Sequence, residues 1–204
     1  MMKRSLLLPA GALLLGLISL DVTPLAAQSA AAAFSIDPGH SSAEFKVQHL
    51  VVSNVRGTIP ISAGTVTIPA GATLPESVNA SLDATGLNTQ NSDRDRDLRG
   101  PDWFDVSKYP TIVFKSTTVT PGPSGSFKVT GDLTLHGVTK SVVLDCSTVG
   151  KTVDGQGHPR IGYSASTTLD RRDYGMDVMR ATPGGNLIAG TKIAISLEIE
   201  VVER

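Results

Sequence analysis

"KIAISLEIEV", residues 192–201, decides the fold. Ile193, Ile195, Leu197, Ile199 and Val201 share one parity, and Ala194, Ser196, Glu198 and Glu200 fill the other. Successive side chains of an extended chain point to opposite faces. This stretch is therefore a half-buried strand, with one face on a core and one in water. The same period-two pattern recurs at Ala43, Phe45, Val47 and His49, and at Val78, Ala80 and Leu82. It recurs again at Phe127, Val129, Leu133 and Leu135, and at Ile161, Tyr163, Ala165, Thr167 and Leu169.

Turn signals separate these runs. His136-Gly137 between "DLTL" and "VTKSVVL" reads as a two-residue hairpin loop. Pro121-Gly122-Pro123-Ser124-Gly125 reads as a turn, and Ala63-Gly64 and Pro69-Ala70-Gly71 punctuate the earlier strands. Strands in series with short connections imply an antiparallel sheet that closes as a sandwich or a barrel. One polar helix is expected over residues 88–99, stopped by Gly100-Pro101. The inner faces carry Val, Ile, Leu and Phe but few bulky aromatics, which make up 4% of the chain. A barrel of about eight strands is either filled by its side chains or holds one small ligand, and the alternation alone does not choose.

The first 27 residues read as a cleaved signal peptide rather than as fold. A basic start (Lys3, Arg4) precedes an apolar run from Leu6 to Leu20 and the small-residue region Thr23-Pro24-Leu25-Ala26-Ala27. The apolar run is short for a membrane span, and no second run of spanning length follows. The expected product is a single exported domain, periplasmic or secreted, with no integral membrane segment. Removing residues 1–27 takes Lys3, Arg4 and Asp21 from totals of 18 basic and 19 acidic residues. That leaves 16 and 18, a formal charge of −2. Such a balance offers no electrostatic reason to bind nucleic acid. Cys146 is the only cysteine, so no internal disulfide forms; its parity with Val142 and Leu144 makes it a small buried hydrophobe.

Catalytic and metal motifs are missing. Asp93-Arg94-Asp95-Arg96-Asp97 opens like a calcium loop, but Leu98 and Phe104 stand where glycine and glutamate are required. It reads instead as a solvated, self-paired segment. His40, His49, His136 and His158 show no metal-ligand spacing. His40 and His136 read as turn residues. His49 falls on an inner face, where it either satisfies a local hydrogen bond or touches something in a cavity. No Gly-x-Ser-x-Gly, carboxylate pair or phosphate loop appears. In "LDRRDYGMDVM", residues 169–179, Arg171 continues the inner parity of the preceding strand. From spacing alone, an ion pair with Asp170 or Asp173 that fastens a loop stands ahead of a ligand contact.

Taken together, several ordered stretches resemble the YceI-like family of exported polyisoprenoid-binding proteins. They are "FSIDPGHSSAEFKVQHLVVSNVRGTI" (34–59), "DRDLRGPDWFDVSKYPTIVFKST" (95–117), "VTGDLTLHGVTKSVVL" (129–144), "LDRRDYGM" (169–176) and the last strand. Two departures bear on pocket shape more than on fold: Thr58-Ile59 follow Gly57 where the family often has an aromatic, and Trp103 stands where phenylalanine is common.

The resemblance implies an all-β, extended antiparallel barrel of about eight strands, lipocalin-like, over residues 34–204, with one or two short helices. It implies a binding protein with no chemistry and no cofactor of its own. The ligand would be an isoprenoid-type lipid or quinone, held for transport or storage, and a homodimer is allowed. The alternatives are an enzyme of isoprenoid or quinone metabolism using the same cavity, or a secreted stress-related barrel with incidental binding. In the carrier reading Phe45, Val47, Ile59, Phe114, Leu133, Leu135 and Ile195 line the cavity. Trp103 and Phe104 fold back as a plug or lid. Arg171 meets an anionic head group, with Arg172 nearby and His49 as a weaker contact.

Overall fold

The alternating runs become ten strands in the computed structural model, which describes residues 31–203. Residues 1–27, which the sequence reads as a signal peptide, lie outside the described residues. The strands are β1 (Ala32–Ile36), β2 (Ser42–His49), β3 (Ser53–Thr58), β4 (Ile61–Ile68), β5 (Ser77–Asp83), β6 (Thr111–Pro121), β7 (Ser126–Leu135), β8 (Val138–Val153), β9 (Pro159–Asp170) and β10 (Ala189–Glu203). One helix, α1 (Ser92–Arg99), and two 3-10 turns, Ala84–Gly86 and Arg171–Tyr174, complete the fold.

Eight strands close an antiparallel ring in the order β1-β4-β5-β6-β7-β8-β9-β10, with β1 returning to β10. The architecture is thus a barrel and not a sandwich. The ring closes through β10, whose 15 residues far outrun the 5 of β1. Two consecutive strands therefore lie end to end along it. Ile36 pairs with Val201 at one end, while Leu197, Ile195 and Ile193 pair with Ala43, Phe45 and Val47 of β2 at the other. The chain passes from β1 to β2 through a turn in which the Gly39 N–H donates to Asp37 Oδ1 at 3.0 Å. The β2–β3 hairpin extends the wall beyond the ring. Its far edge is stitched by a two-way bridge between Thr58 and Asn88, at 2.9 and 3.0 Å.

Backbone conformation explains the turns. His136 and Gly137 both take positive φ (51° and 73°), the geometry a two-residue hairpin loop needs. Leu50 and Val51 do the same at the β2–β3 tip (50° and 56°), closed by the Val52 N–H donating to His49 O at 3.1 Å. Asn-Gly is the usual occupant of such a turn, and each non-glycine residue held there costs roughly 1–3 kcal/mol. At Gly131 an added Cβ would lie 2.5 Å from the Phe114 ring and 2.6 Å from Lys115 O, so β6 and β7 approach too closely for any side chain.

The helix begins later than its polar composition implies. Asn88 is committed to the bridge with Thr58, and Gln90 is left-handed (φ 62°). Asn91 then caps the helix by accepting from the Arg94 N–H at 3.0 Å. The acidic run is only partly solvated. Arg96 and Asp93 pair on the surface, but Asp95 is buried and accepts from Thr89 N and Oγ1 at 2.8 and 2.6 Å. Arg99, at the end of the helix, donates through Nε to Thr85 O at 2.8 Å. These bonds fasten α1 to residues 85–89, and Asn88 of that segment is bridged in turn to Thr58 at the end of β3.

Candidate functional site

The inner parity of the strands encloses a cavity of about 440 Å³, within the range of small-ligand sites. Phe45, Val47, Ile59, Phe114, Leu133, Leu135 and Ile195 all stand in its wall. Register brings several together directly: Ile195 lies opposite both Phe45 and Thr167, and Phe114 lies opposite Leu133. Ala43, Ala80 and Ala165 share the wall with these aliphatics, and such short side chains leave an eight-stranded interior incompletely filled. Cys146 belongs to the wall too; burial pushes its thiol up to about 11, so it remains a neutral apolar group.

One end is closed. Phe127 and Tyr163 meet edge to face, with centroids 5.8 Å apart, and Tyr163 Oη donates to Thr73 O at 2.6 Å. The other end is open. The exposed wall residues Glu44, Gln48, Asp97, Arg180 and Ile188 belong to β2, α1 and the loop before β10. The mouth thus lies between the β2–β3 hairpin, α1 and the 176–189 segment. His49 stands in this mouth, half-buried, and its imidazole makes no hydrogen bond to another described residue.

Trp103 and Phe104 reach the wall from the loop after α1. The loop folds back because the Phe104 N–H donates to Leu98 O at 2.9 Å. Asp105 then anchors it by accepting from Lys108 and Ser107, each at 2.8 Å. The Trp103 ring lies 5.1 Å from the Arg171 guanidinium carbon, within cation–π range.

Arg171 is 3% exposed and forms part of the wall. Among the described residues it has no carboxylate partner, so the expected ion pair with Asp170 or Asp173 is not formed. Its donors go to backbone carbonyls instead. Nε bonds Gly190 O (3.1 Å), Nη2 bonds Val178 O (2.6 Å) and Ala189 O (3.3 Å), and Nη1 bonds Met176 O. The guanidinium thus staples the 176–178 loop to the start of β10, and burial lowers its pKa. Arg172 does not join it. That side chain is half exposed and forks onto Asp170 at 2.6 and 3.0 Å, so its place as a second head-group contact is corrected to an outer-surface ion pair. Lys192 also approaches Asp170, at 3.3 Å, and with the Arg172 bonds foremost the carboxyl is held far below its usual range.

Tyr174 is a wall residue that alternation does not reveal, because it follows the strand in a 3-10 turn. Its carbonyl accepts from His136 Nδ1 at 2.9 Å, but its hydroxyl is buried with no hydrogen-bond partner among the described residues. Burial foremost, then the charge of Asp173, pushes the phenol up to about 12. Met176, Val178 and Ile188 also enter the wall from irregular chain that carries no periodic signal, and Ala189 joins them from the first position of β10. The only clue was the Arg171-x-Asp173-Tyr174-Gly175 pattern beside the strand end.

One grouping of metal-ligand atoms exists among the described residues. Asp37, His40 and Glu200 come within 4.8 Å of one another across the barrel closure. Arg160 already supplies the cation there, with Nη1 3.0 Å from Asp37 Oδ2 and bonded to Glu200, and Nε 2.9 Å from Asp154.

A closed antiparallel barrel with an apolar cavity open at one end defines a β-barrel of the small-ligand type. Residues 34–201 match the YceI-like domain, and the chain belongs to that family. It is 35% identical over 167 residues to a UPF0312 protein of Vibrio cholerae, covering 82% of this chain and 88% of that one. A UPF0312 protein of Pseudomonas savastanoi pv. phaseolicola is 36% identical over 178 residues, covering 86% and 88%. The crystal structure of the Campylobacter jejuni YCEI protein superposes with a TM-score of 0.66 at 26% identity, over 75% of this chain and 87% of that one. A polyisoprenoid binding domain from Saccharophagus degradans shares the fold with a TM-score of 0.60 at 13% identity, over 85% and 99%.

Proposed function

We propose that this protein is an exported carrier that holds an amphiphilic isoprenoid-type lipid, polyprenyl or quinone-like, for transport or storage. The observation that carries this reading is the cavity, whose wall is almost wholly aliphatic and aromatic and which opens at one end. The Saccharophagus degradans domain of the same fold is described as binding polyisoprenoid, in agreement with such a ligand. Each buried methylene contributes about 0.8 kcal/mol, so a few isoprene units outweigh the cost of ordering the chain. The chain lies along Phe114, Leu133 and Leu135, and the head group stays at the mouth near Arg171 and His49. Trp103 and Phe104 cover it there. The ionisable wall groups Glu44, His49 and Asp97 stand at the mouth, the deep wall is apolar, and the Cys146 thiol is held neutral, in agreement with binding without turnover.

Purification from the native host, followed by native mass spectrometry and lipid extraction, tests the proposal. A co-purifying isoprenoid, lost in Leu135→Asp while the circular dichroism spectrum is kept, is the expected result. Lipid-free protein that also fails to take up added polyprenol or quinone would overturn it. Chemical conversion of the added lipid would replace carriage with catalysis.

A further inference from the structure

The rim of the cavity mouth is apolar. Val51 is 55% and Val52 81% exposed at the β2–β3 tip, and Met179 and Ile188 are 50% and 38% exposed on the facing loop. The two pieces are joined, since the Leu50 N–H donates to Ile188 O at 3.2 Å and the Ile188 N–H to Arg180 O at 2.9 Å. Ile188 belongs to the cavity wall as well, so the exposed rim runs without a break into the interior.

We infer that this rim docks on the face of a zwitterionic lipid bilayer, so that an apolar chain passes between bilayer and barrel without crossing water. The inference rests on the carrier reading above. The tip is built for exposure: Leu50 and Val51 occupy left-handed positions that Asn-Gly would fill without strain. Such strain collects at functional loops. Residues 50–53 carry no ionisable group, so seating them among acyl chains desolvates no charge. The rim is made of projecting loop tips rather than a groove, a shape suited to a deformable surface. Several of its cations are already paired, while Lys46 and Arg56, opposite each other on the hairpin and several residues back from its tip, have no carboxylate partner among the described residues. Arg180 bonds Asp102 at 2.8 Å, Arg172 and Lys192 converge on Asp170, and Asp173 and Asp177 add exposed carboxylates. Charge around the mouth is therefore mixed, with Glu44 and Asp97 exposed beside these groups, and the apolar tip rather than a basic patch drives the contact.

Flotation of the full exported chain with phosphatidylcholine vesicles tests this. Wild type co-floats, salt does not release it, and phosphatidylglycerol does not strengthen it. Val52→Asp, at an exposed tip, keeps the melting temperature and lowers vesicle partition by about tenfold or more. It binds a short soluble isoprenol with wild-type affinity but takes up vesicle-borne isoprenoid at least about tenfold more slowly. Wild type that stays with the aqueous phase, or Val52→Asp that floats equally, overturns the inference. So does binding confined to anionic vesicles and abolished by salt. A concentration-dependent dimer dispersed by Val52→Asp overturns it in favour of a second copy on the rim. If the soluble isoprenol binds neither protein while wild type floats, the docking stands and the carrier reading falls.

Discussion

Arg171→Met removes a buried guanidinium and the four carbonyl contacts through which it holds Met176, Val178, Ala189 and Gly190. Each bond from a charged donor contributes about 1.5–3 kcal/mol. The gross loss is partly offset, because the variant no longer buries a charge. The net cost should resemble that of breaking a buried ionic contact, about 3–5 kcal/mol. For a domain of this length that corresponds to a fall in melting temperature of roughly 6–20 °C. Thermal unfolding of lipid-free protein followed by circular dichroism measures it, and a fall under about 2 °C would refute the stapling role. The same variant separates two functional readings. If the charge also meets an anionic head group, affinity for an isoprenyl diphosphate drops a further tenfold to a hundredfold or so relative to a neutral quinone. Equal loss for both ligands rejects the head-group contact. Arg171→Lys keeps the charge but not the planar fork, so it should recover the preference for the anionic ligand with only part of the stability.

Tyr174→Phe removes a buried hydroxyl that has no partner among the described residues, and should stabilise the lipid-free protein by about 1–3 kcal/mol; a lower urea midpoint would show that the hydroxyl is bonded. Gly131→Ala drives a methyl into the Phe114 ring and Lys115 O and should destabilise by about 1–3 kcal/mol, read by chemical denaturation. Acid should weaken the barrel closure. The bond from His40, then that from Arg160, lowers Asp37 to about 2, and the His158 backbone N–H and Arg160 hold Asp154 lower still. Both native values lie beneath the unfolded value near 3.9. Their stabilisation is therefore complete above about pH 4 and lost as pH falls through about 2. Arg160→Met should flatten that decline in a series of acid melts, and an unchanged profile would remove Arg160 from the account.

The alternation of residues 192–201 settled by itself that the chain is built of strands and which side chains face inward, because period two is a local property of an extended backbone. Ile195, Phe45 and Leu135 could be placed on the inner face for that reason alone, and the ordered motifs added the family and Phe114. Other features depended on ring closure, which is non-local. Whether the interior is filled or hollow follows from side-chain volume set against the radius of eight paired strands, so no single stretch carries it. Arg171 and Arg172 are adjacent and alike in composition, yet one is buried and one half exposed. Only the fold brings the carbonyls of residues 176–190 round the first and leaves the second beside Asp170. Tyr174, Met176 and Ile188 entered the wall from irregular chain, where side-chain direction is set by turn geometry and not by parity. The cluster of Asp37, Arg160 and Glu200 spans most of the chain, and it exists because β10 is long enough to accept both β1 and β2 along one edge.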